Sequence, residues 1–271
     1  MSATDTPTLE AVMRHDRLVV VSGLILVAVI SWAYLLTGAG MGMTAFEMTD
    51  MSMSAMDSAA MQPAVWSASY AVLMFFMWWV MMVAMMLPSA SPMVLLFALV
   101  NRRQREQGNP FVSTSVFAAG YLIAWGAFSA VATGLQWGFE QIGVLSSMMV
   151  STSALFGGLM LVITGAYQLT PLKHACLRHC RSPMQFVSRH WRAGTGGALR
   201  MGLRHGGYCL ACCWFLMGLL FVGGVMNLYW IAGLALFVLL EKTIPIGHWL
   251  GSLTGVGLIL WGGWMLYSRL V

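Results

Sequence analysis

The chain has 271 residues, of which 59% are hydrophobic and only 8% are charged. Soluble domains carry about 25% charged residues, so this composition excludes a water-soluble globule and predicts a protein surrounded by lipid. The net charge of +5 gives no sign of nucleic-acid binding, because the basic residues cluster in short segments between apolar runs, as topology-setting residues do.

The apolar runs predict an all-α fold, a polytopic transmembrane helical bundle of about seven helices. Because the last three runs are crowded together and need very short turns, six helices with a re-entrant segment is the alternative. The runs lie near residues 18–37, 66–99, 112–135, 148–169, 208–227, 229–246 and 249–268.

The distribution of basic residues predicts the orientation of these helices. Lys and Arg precede the first helix, follow the second and are frequent in segment 170–207. In the opposite loops, the only charged residues are acidic. Because basic loops stay in the cytoplasm, we expect a multi-pass protein of the bacterial inner membrane with a cytoplasmic N-terminus at 1–17. The first transmembrane helix is then 18–37, the external loop 38–65, and the membrane domain 66–271, whose basic, cysteine-containing loop is cytoplasmic.

The external loop is rich in methionine, whose spacing resembles the methionine motifs of periplasmic copper-handling proteins. Thioether sulfur is soft and uncharged, so it binds copper(I) or silver(I) in preference to calcium or magnesium. The alternative is a disordered polar linker that happens to contain methionine. The candidate metal ligands in this loop are Met41, Met43, Met51, Met53 and Met56.

The second predicted helix carries a stripe of methionines at three- and four-residue steps, which includes Met81 and Met85. Such a stripe could relay a soft ion inward from the external loop. The alternative is that methionine serves here as an adaptable packing residue. Pro88 and Pro92 follow the stripe, and they predict a kink or break in a stretch that faces the bundle.

All five cysteines flank the basic segment, with Cys176 and Cys180 before it and Cys209, Cys212 and Cys213 after it. The cytoplasm keeps thiols reduced, so these residues are candidate ligands for copper(I), zinc or an iron–sulfur cluster. The first pair has helical spacing, and the next two have the two-residue gap of thiolate metal sites.

The alternative for these cysteines is burial as small apolar residues, which is our interpretation of Cys213. The chain between the two groups could fold back and unite them in one site. His174 and His179 are candidate additional ligands, and the alternative for each is a solvated histidine in a basic loop.

Three polar residues in the late apolar runs are candidate functional residues. Glu241 and Lys242 are adjacent opposite charges, and charges within the hydrocarbon region usually mark function. The alternative is an ordinary boundary pair at the end of the sixth helix. Asn227 is a lesser polar candidate of the same kind.

Motifs for nucleotide binding, zinc proteolysis and acyl transfer are absent from the sequence. ATP-driven transport therefore has no support, and no catalytic residue is assigned. Enzymatic activity is left open, with a binding or transfer role preferred.

Several motifs together resemble a bacterial family of predicted metal-binding integral membrane proteins, catalogued as a domain of unknown function. The resemblance extends from about residue 65 to about residue 265 and implies metal binding in the membrane. The motifs are Ala-Met-Met-Leu-Pro at 84–88, Tyr-Gln-Leu-Thr-Pro-Leu-Lys at 167–173 with the two following cysteines, Gly-Gly-Tyr-Cys-Leu-Ala-Cys-Cys-Trp at 206–214, Met-Asn-Leu-Tyr-Trp at 226–230 and Leu-Glu-Lys at 240–242.

The sequence therefore predicts a membrane protein that binds a soft transition metal, copper(I) in preference to zinc, and acts in its acquisition, transfer or delivery. The expected partners are the lipid bilayer and a metallochaperone or membrane complex, with no nucleic acid and no assigned oligomeric state. One alternative is a membrane redox enzyme that uses the cysteines or a bound cofactor. Another is a structural subunit of a membrane complex whose loop is clamped by zinc.

Overall fold

The computed structural model describes residues 6–55, 65–107, 112–146 and 149–269. Within these ranges the chain is helical, with one isolated β-bridge and no strand, which confirms the all-α prediction. The helices are α1 Thr6–Leu36, α2 Ala45–Ala55, α3 Ala68–Glu106, α4 Thr114–Gln141, α5 Ala154–Gln168, α6 Pro171–Arg181, α7 Pro183–His190, α8 Gly194–Gly218, α9 Leu220–Gly223, α10 Leu228–Thr243 and α11 Gly247–Tyr267.

Five helices in the described ranges are long and apolar enough to cross a membrane, as a multi-pass membrane protein requires. A sixth span is reached only if α5 and α6, which meet at a bend of 65°, count as one broken span. The predicted count of seven is not confirmed, because α10 has 16 residues and a span needs about 20. The five are Arg17–Leu36, Ala68–Gln104, Thr114–Gln141, Gly194–Gly223 and Gly247–Tyr267.

The faces that these helices turn away from the bundle are apolar. Ile25 of α1, Leu155 of α5 and Leu260 of α11 each expose more than half of their surface. A bilayer solvates such side chains without cost, whereas water does not. The exposed faces are thus consistent with contact to lipid.

The segment predicted as a basic loop, 170–207, is largely helical. It comprises α6, α7 and the first half of α8. Thr170 caps α6 by accepting a hydrogen bond from the Lys173 backbone N–H, and Pro171 occupies the first turn, where no helical donor is needed. The cysteines consequently lie on packed helices, and the cytoplasmic location of the segment stays a prediction.

Helix α3 continues through both of its prolines, so the chain does not break there, and the alternative of a kink stays a prediction. Pro92 has no N–H to donate to the carbonyl of Pro88, four residues earlier. The Ser91 hydroxyl donates to that carbonyl instead, at 2.8 Å. Ser89 and Met86 on the same stretch are buried, as expected for a region where freed backbone groups need protein partners.

Helices α4 and α8 pack with their backbones in contact. A Cβ atom on Gly120 would lie 2.4 Å from the Leu199 carbonyl oxygen, and one on Gly202 would lie 2.0 Å from the Phe117 carbonyl oxygen. Only glycine fits at such a crossing. The close approach brings Tyr121, the next residue on α4, against the cysteine-bearing face of α8.

Candidate metal centre

The structure brings three cysteines of α8 against one cysteine of α6. Cys209, Cys212 and Cys213 are each 1% exposed. Cys180 is half-buried and packs against the apolar cluster that contains these three cysteines, where α6 contacts α8. All five thiols of the chain are free. We call Cys180, Cys209, Cys212 and Cys213 the thiol cluster.

Cys176 lies at the edge of this cluster, where it is half-buried and has Cys212 as its charged neighbour. From the sequence we interpreted Cys213 as a small, buried apolar residue. It is buried, and it is also part of the thiol cluster. Its Sγ lies 4.0 Å from Sδ of Met86 on α3. A thiol and a thioether sulfur, the two side-chain groups that suit soft metal ions, therefore meet at this point.

Cys209 differs from its neighbours because its sulfur accepts a hydrogen bond from a charged group. The ammonium group of Lys242, which can only donate, lies 3.0 Å from Cys209 Sγ. The Tyr121 hydroxyl is 3.1 Å from the same sulfur. Cys212 and Cys213, in contrast, donate to the Cys209 backbone carbonyl at 3.0 and 2.9 Å.

Lys242 is 8% exposed, and it also donates to the Ser89 hydroxyl, at 3.1 Å. Within the described ranges it makes no ion pair with a carboxylate. A buried ammonium needs a nearby negative charge, because burial of an unpaired charge is very costly. The arrangement therefore favours Cys209 as a thiolate that neutralises Lys242.

A second charged group lies beside the cluster. Lys173 of α6 pairs with Glu241 of α10 and donates to the side-chain oxygen of Gln168, and all three residues are 1% exposed. The adjacent charges Glu241 and Lys242 thus have different partners, on different sides of α10. Among the described residues, Glu241 Oε2 and Gln168 Nε2 have no hydrogen-bond partner.

His205 is the histidine that the structure places near the thiols. It lies four residues before Cys209 on α8, is 3% exposed, and stacks on Tyr121 with ring centroids 5.7 Å apart. Its Nδ1 has no partner among the described residues. Sequence reasoning missed His205, because its only signal was the four-residue spacing from Cys209.

The two histidines predicted as ligands are engaged elsewhere. The His179 ring stacks on Tyr208 at 4.2 Å, and its Nδ1 contacts the Ala175 carbonyl at 2.9 Å. His174 has other basic side chains as its charged neighbours: Lys173, His248 and Arg178. Neither is brought to the thiol cluster.

In the part of the chain that the structure describes, no group of three or more His, Cys, Asp or Glu side chains is arranged to hold a metal ion as it stands. The thiols of Cys212 and Cys213 point at a backbone carbonyl instead. These bonds are weak, because S–H is a poor donor. Rotation of the two side chains would release both sulfurs at small cost.

The predicted methionine stripe of α3 lies in the core. Met81 is fully buried and Met85 is 1% exposed, and both belong to one apolar cluster that contains the three cysteines of α8. The cluster continues along α3 to Met74, whose sulfur accepts a hydrogen bond of 3.4 Å from Gln136. The stripe therefore runs from the thiols, which lie beside the middle of α3, toward the N-terminal end of that helix.

The described part of the methionine-rich loop is folded rather than a linker. Thr44 and Glu47 form a capping box at the start of α2: Glu47 Oε2 accepts from the Thr44 backbone N–H at 2.8 Å and from its hydroxyl at 2.9 Å. These hydrogen bonds, the backbone one first, lower the pKa of Glu47 from its ordinary value of 4.5. At its other face α2 is joined to α10, where the Leu228 N–H donates to Thr49 Oγ1.

The structure separates the loop's candidate ligands. Met41 and Met43 lie in the turn before α2 and line a cavity that also contains Asn227, which caps α10 by accepting from Tyr229 and Trp230. Met51 is on the exposed face of α2. Met53 falls within α2, but its side chain lies outside the described part, as does all of Met56.

Comparison with protein families gives one match, to the model of the PpoB2 family, described as copper chaperone, over residues 75–265. This range is more than half of the chain. The protein belongs to the copper chaperone family. No curated protein and no solved structure matches the chain.

The family match covers some candidate residues and not others. All five cysteines, Lys242 and the buried methionines from Met77 onward lie inside it, whereas α1, α2 and the turn that carries Met41 and Met43 lie outside. Membership supports the metal-binding family that the motifs suggested, and it suggests copper handling or delivery. The thiol cluster lies within the part that the chain shares with this family.

Proposed function

We propose that this protein is a membrane-embedded copper(I) chaperone that holds its ion in the thiol cluster. The observation that carries the proposal is the packing of Cys180 on α6 against the cysteines of α8, in a chain of the copper chaperone family. Thiolate sulfur is the ligand that copper(I) prefers. Two sulfurs suffice for a linear or bent site, one of them the Cys209 thiolate beside Lys242, and the remaining sulfurs can exchange as its partner during transfer.

The charge of the pocket favours copper(I) over zinc. Lys242 supplies one positive charge beside Cys209, and Lys173 and Glu241 neutralise each other. One copper(I) ion, two thiolates and Lys242 together are neutral, whereas zinc with four thiolates and Lys242 keeps a negative charge. Uncompensated charge is costly in a buried site. The surroundings are therefore better matched to a monovalent cargo.

The methionines of α3 provide the route to and from this site. Met86 contacts Cys213, and Met81 and Met85 continue the row of sulfurs through the same buried cluster. Thioethers bind soft ions without adding charge, so an ion can pass between them with little electrostatic penalty. We propose that the protein lies in the bacterial inner membrane, N-terminus in the cytoplasm, and exchanges copper(I) with a metallochaperone or membrane complex.

Copper(I) titration of the purified protein under anaerobic, reducing conditions tests the proposal. We expect one tightly held ion per chain, with a sulfur-only first shell by X-ray absorption. Cys209→Ser should remove this binding, while Cys176→Ser, at the edge of the cluster, is the matched control and should retain most of it. Equal copper retention by the wild type and a Cys180→Ser/Cys209→Ser variant would overturn the assignment.

The same experiment addresses the other two functions that the sequence left open. A zinc-clamped structural subunit would be purified with non-exchanging zinc that the copper(I) titration does not displace. A redox enzyme would show a chromophore or thiols that change oxidation state during turnover. Neither outcome is expected for a chaperone, whose thiols stay reduced and whose ion leaves to an added chelator of comparable affinity.

A further inference from the structure

A cavity of about 500 Å³ opens at the end of α3 remote from the thiol cluster. It is formed by the turn between α1 and α2, the start of α2, the first turns of α3, the segment before α5 and the turn before α10. Five methionines from these separate segments converge on it. The lining residues are Gly40, Met41, Gly42, Met43, Met48, Tyr70, Leu73, Met149, Met226 and Asn227. We call this cavity the methionine pocket.

Three of the five methionines are held in place by the fold. Met48, Met149 and Met226 are each 3% exposed. Met41 and Met43 are half-buried and lie in a turn that Gly38 makes tight: a Cβ there would be 1.6 Å from the Met43 carbonyl oxygen. The pocket therefore has a fixed floor and a more exposed rim.

Met149 has a backbone conformation that a side chain normally avoids, with φ of +57°. Such conformations cost about 1–3 kcal/mol and persist only where the surroundings hold them. Here the Met149 N–H donates to the Ser146 carbonyl at 2.8 Å, and the Val225 N–H donates to the Met149 carbonyl at 3.2 Å. The second bond ties Met149 to the turn that carries Met226.

A carboxylate lies behind the wall of the pocket. Glu140 is fully buried and accepts hydrogen bonds from Trp66 at 2.7 Å and from Gln136 at 2.9 Å. It is within electrostatic range of Tyr70, which lines the pocket. These two donors hold the Glu140 side chain in place, and in the described ranges no basic side chain forms an ion pair with it.

We propose that the methionine pocket is a second metal site, which binds a soft monovalent cation through thioethers alone. This inference takes the cargo from the proposed function but needs none of the thiols. The pocket and the thiol cluster lie at opposite ends of the α3 methionine row. Leu73, in the pocket, and Met86, at the thiols, are thirteen residues apart, or roughly 20 Å along the helix.

Silver(I), which mimics copper(I) without redox chemistry, is the probe for the test. A Cys180→Ser/Cys209→Ser/Cys212→Ser/Cys213→Ser variant should still bind one silver ion. Adding Met43→Leu and Met226→Leu, which preserve size, should weaken that binding by about 10–100-fold. Met51→Leu, on the exposed face of α2, is the matched control and should leave it unchanged.

The wild type provides a second measurement that does not depend on folding of the cysteine variant. Methionine methyl resonances of Met43 and Met226 should shift when silver exceeds the capacity of the thiols, while that of Met51 stays in place. Unshifted resonances, or equal silver binding with and without the two Met→Leu changes, would overturn the pocket. A failure of the thiol proposal would give a different result: the four cysteine substitutions would leave the total silver binding unchanged.

Discussion

The thiol cluster and the methionine pocket use the same element, sulfur, in opposite settings. In the thiol cluster Cys209 is buried against the ammonium of Lys242, so the site depends on charge. The methionine pocket is lined by uncharged thioethers and has a half-buried rim, so it depends on softness and shape. A site that needs thiolates binds tightly and competes with protons, whereas thioethers bind more weakly and take no protons. The contrast suits retention at one end and capture at the other.

The largest effect is expected from breaking the buried ion pair beside the thiols. Glu241→Leu leaves Lys173 buried without its partner, which should lower the free energy of unfolding by about 3–5 kcal/mol. Denaturant unfolding in detergent measures this. Lys173→Met/Glu241→Leu, which removes both charges, should recover most of the loss. An equally unstable double variant would show that the pair is not what holds α6 to α10.

Removal of two sulfurs should abolish tight copper(I) binding without affecting the methionine pocket. Loss of a residue that only supports a metal ligand weakens metal binding by up to about 100-fold. Cys209→Ser/Cys212→Ser removes ligands themselves, so it should weaken copper(I) binding by more than that. Competition with a copper(I) chelator gives the value. If Cys209→Ser/Cys212→Ser kept its copper(I) affinity while Met43→Leu/Met226→Leu lost it, the methionine pocket and not the thiol cluster would be the tight copper(I) site.

Charge removal next to Cys209 tests whether the thiol cluster depends on Lys242. Lys242→Met removes the ammonium that neutralises the thiolate, and copper(I) affinity should fall by about 10–100-fold. Lys242→Arg keeps the charge and should restore much of the affinity. Silver binding by the methionine pocket should be the same in both variants. If Lys242→Met binds copper(I) like the wild type, the charge argument for copper over zinc fails.

A smaller effect is expected at Tyr121. Tyr121→Phe deletes the hydroxyl that contacts Cys209 and donates to the Met86 carbonyl at 3.3 Å. The loss of one such hydrogen bond costs about 1 kcal/mol, equivalent to about fivefold in copper(I) affinity. A loss as large as that of Lys242→Met would instead make the hydroxyl essential to the ligand arrangement.

The smallest effect is expected from acid, which should destabilise α2, the helix that carries Met48 of the methionine pocket. The folded-state pKa of Glu47 is lowered by the Thr44 hydrogen bonds, so the capping box stabilises α2 fully above pH 4.5 and loses this contribution as pH falls through the lower folded value. The protection factors of the α2 amides, which compare observed exchange with the intrinsic rate at the same pH, should therefore fall below pH 4.5, and Glu47→Gln should remove that dependence. Protection factors that are constant from pH 6 to pH 3 in the wild type would contradict this.

The sequence anticipated the meeting of the two cysteine groups, because their spacing and the short chain between them allow one shared site. It did not anticipate which thiols would participate. Cys213 was interpreted as a small apolar residue, yet it contacts Met86, and Cys176, four residues from Cys180, stays at the edge. Helical spacing places residues on a common face, but it does not say which neighbouring helix covers each of them.

The predicted histidine ligands show the same limit. His179 is close to the cysteines in sequence, but an aromatic partner, Tyr208, occupies its ring. His205 was not singled out, and the backbone contact of α4 with α8 places it beside Tyr121 and Cys209. Residues far apart in sequence decide both outcomes, through packing that no local pattern encodes.

The sequence by itself determined the class of the protein and the kind of chemistry. Twenty-residue apolar runs must be helical in lipid, because no solvent there satisfies backbone groups, and sulfur-rich positions select soft ions whatever the fold. Only the tertiary structure decided that the described sulfurs gather at two places, that Lys242 and not a carboxylate faces Cys209, and that Lys173 reaches Glu241. Those pairings follow from where helices cross, and burial makes them specific because a buried charge without its partner is too costly to tolerate.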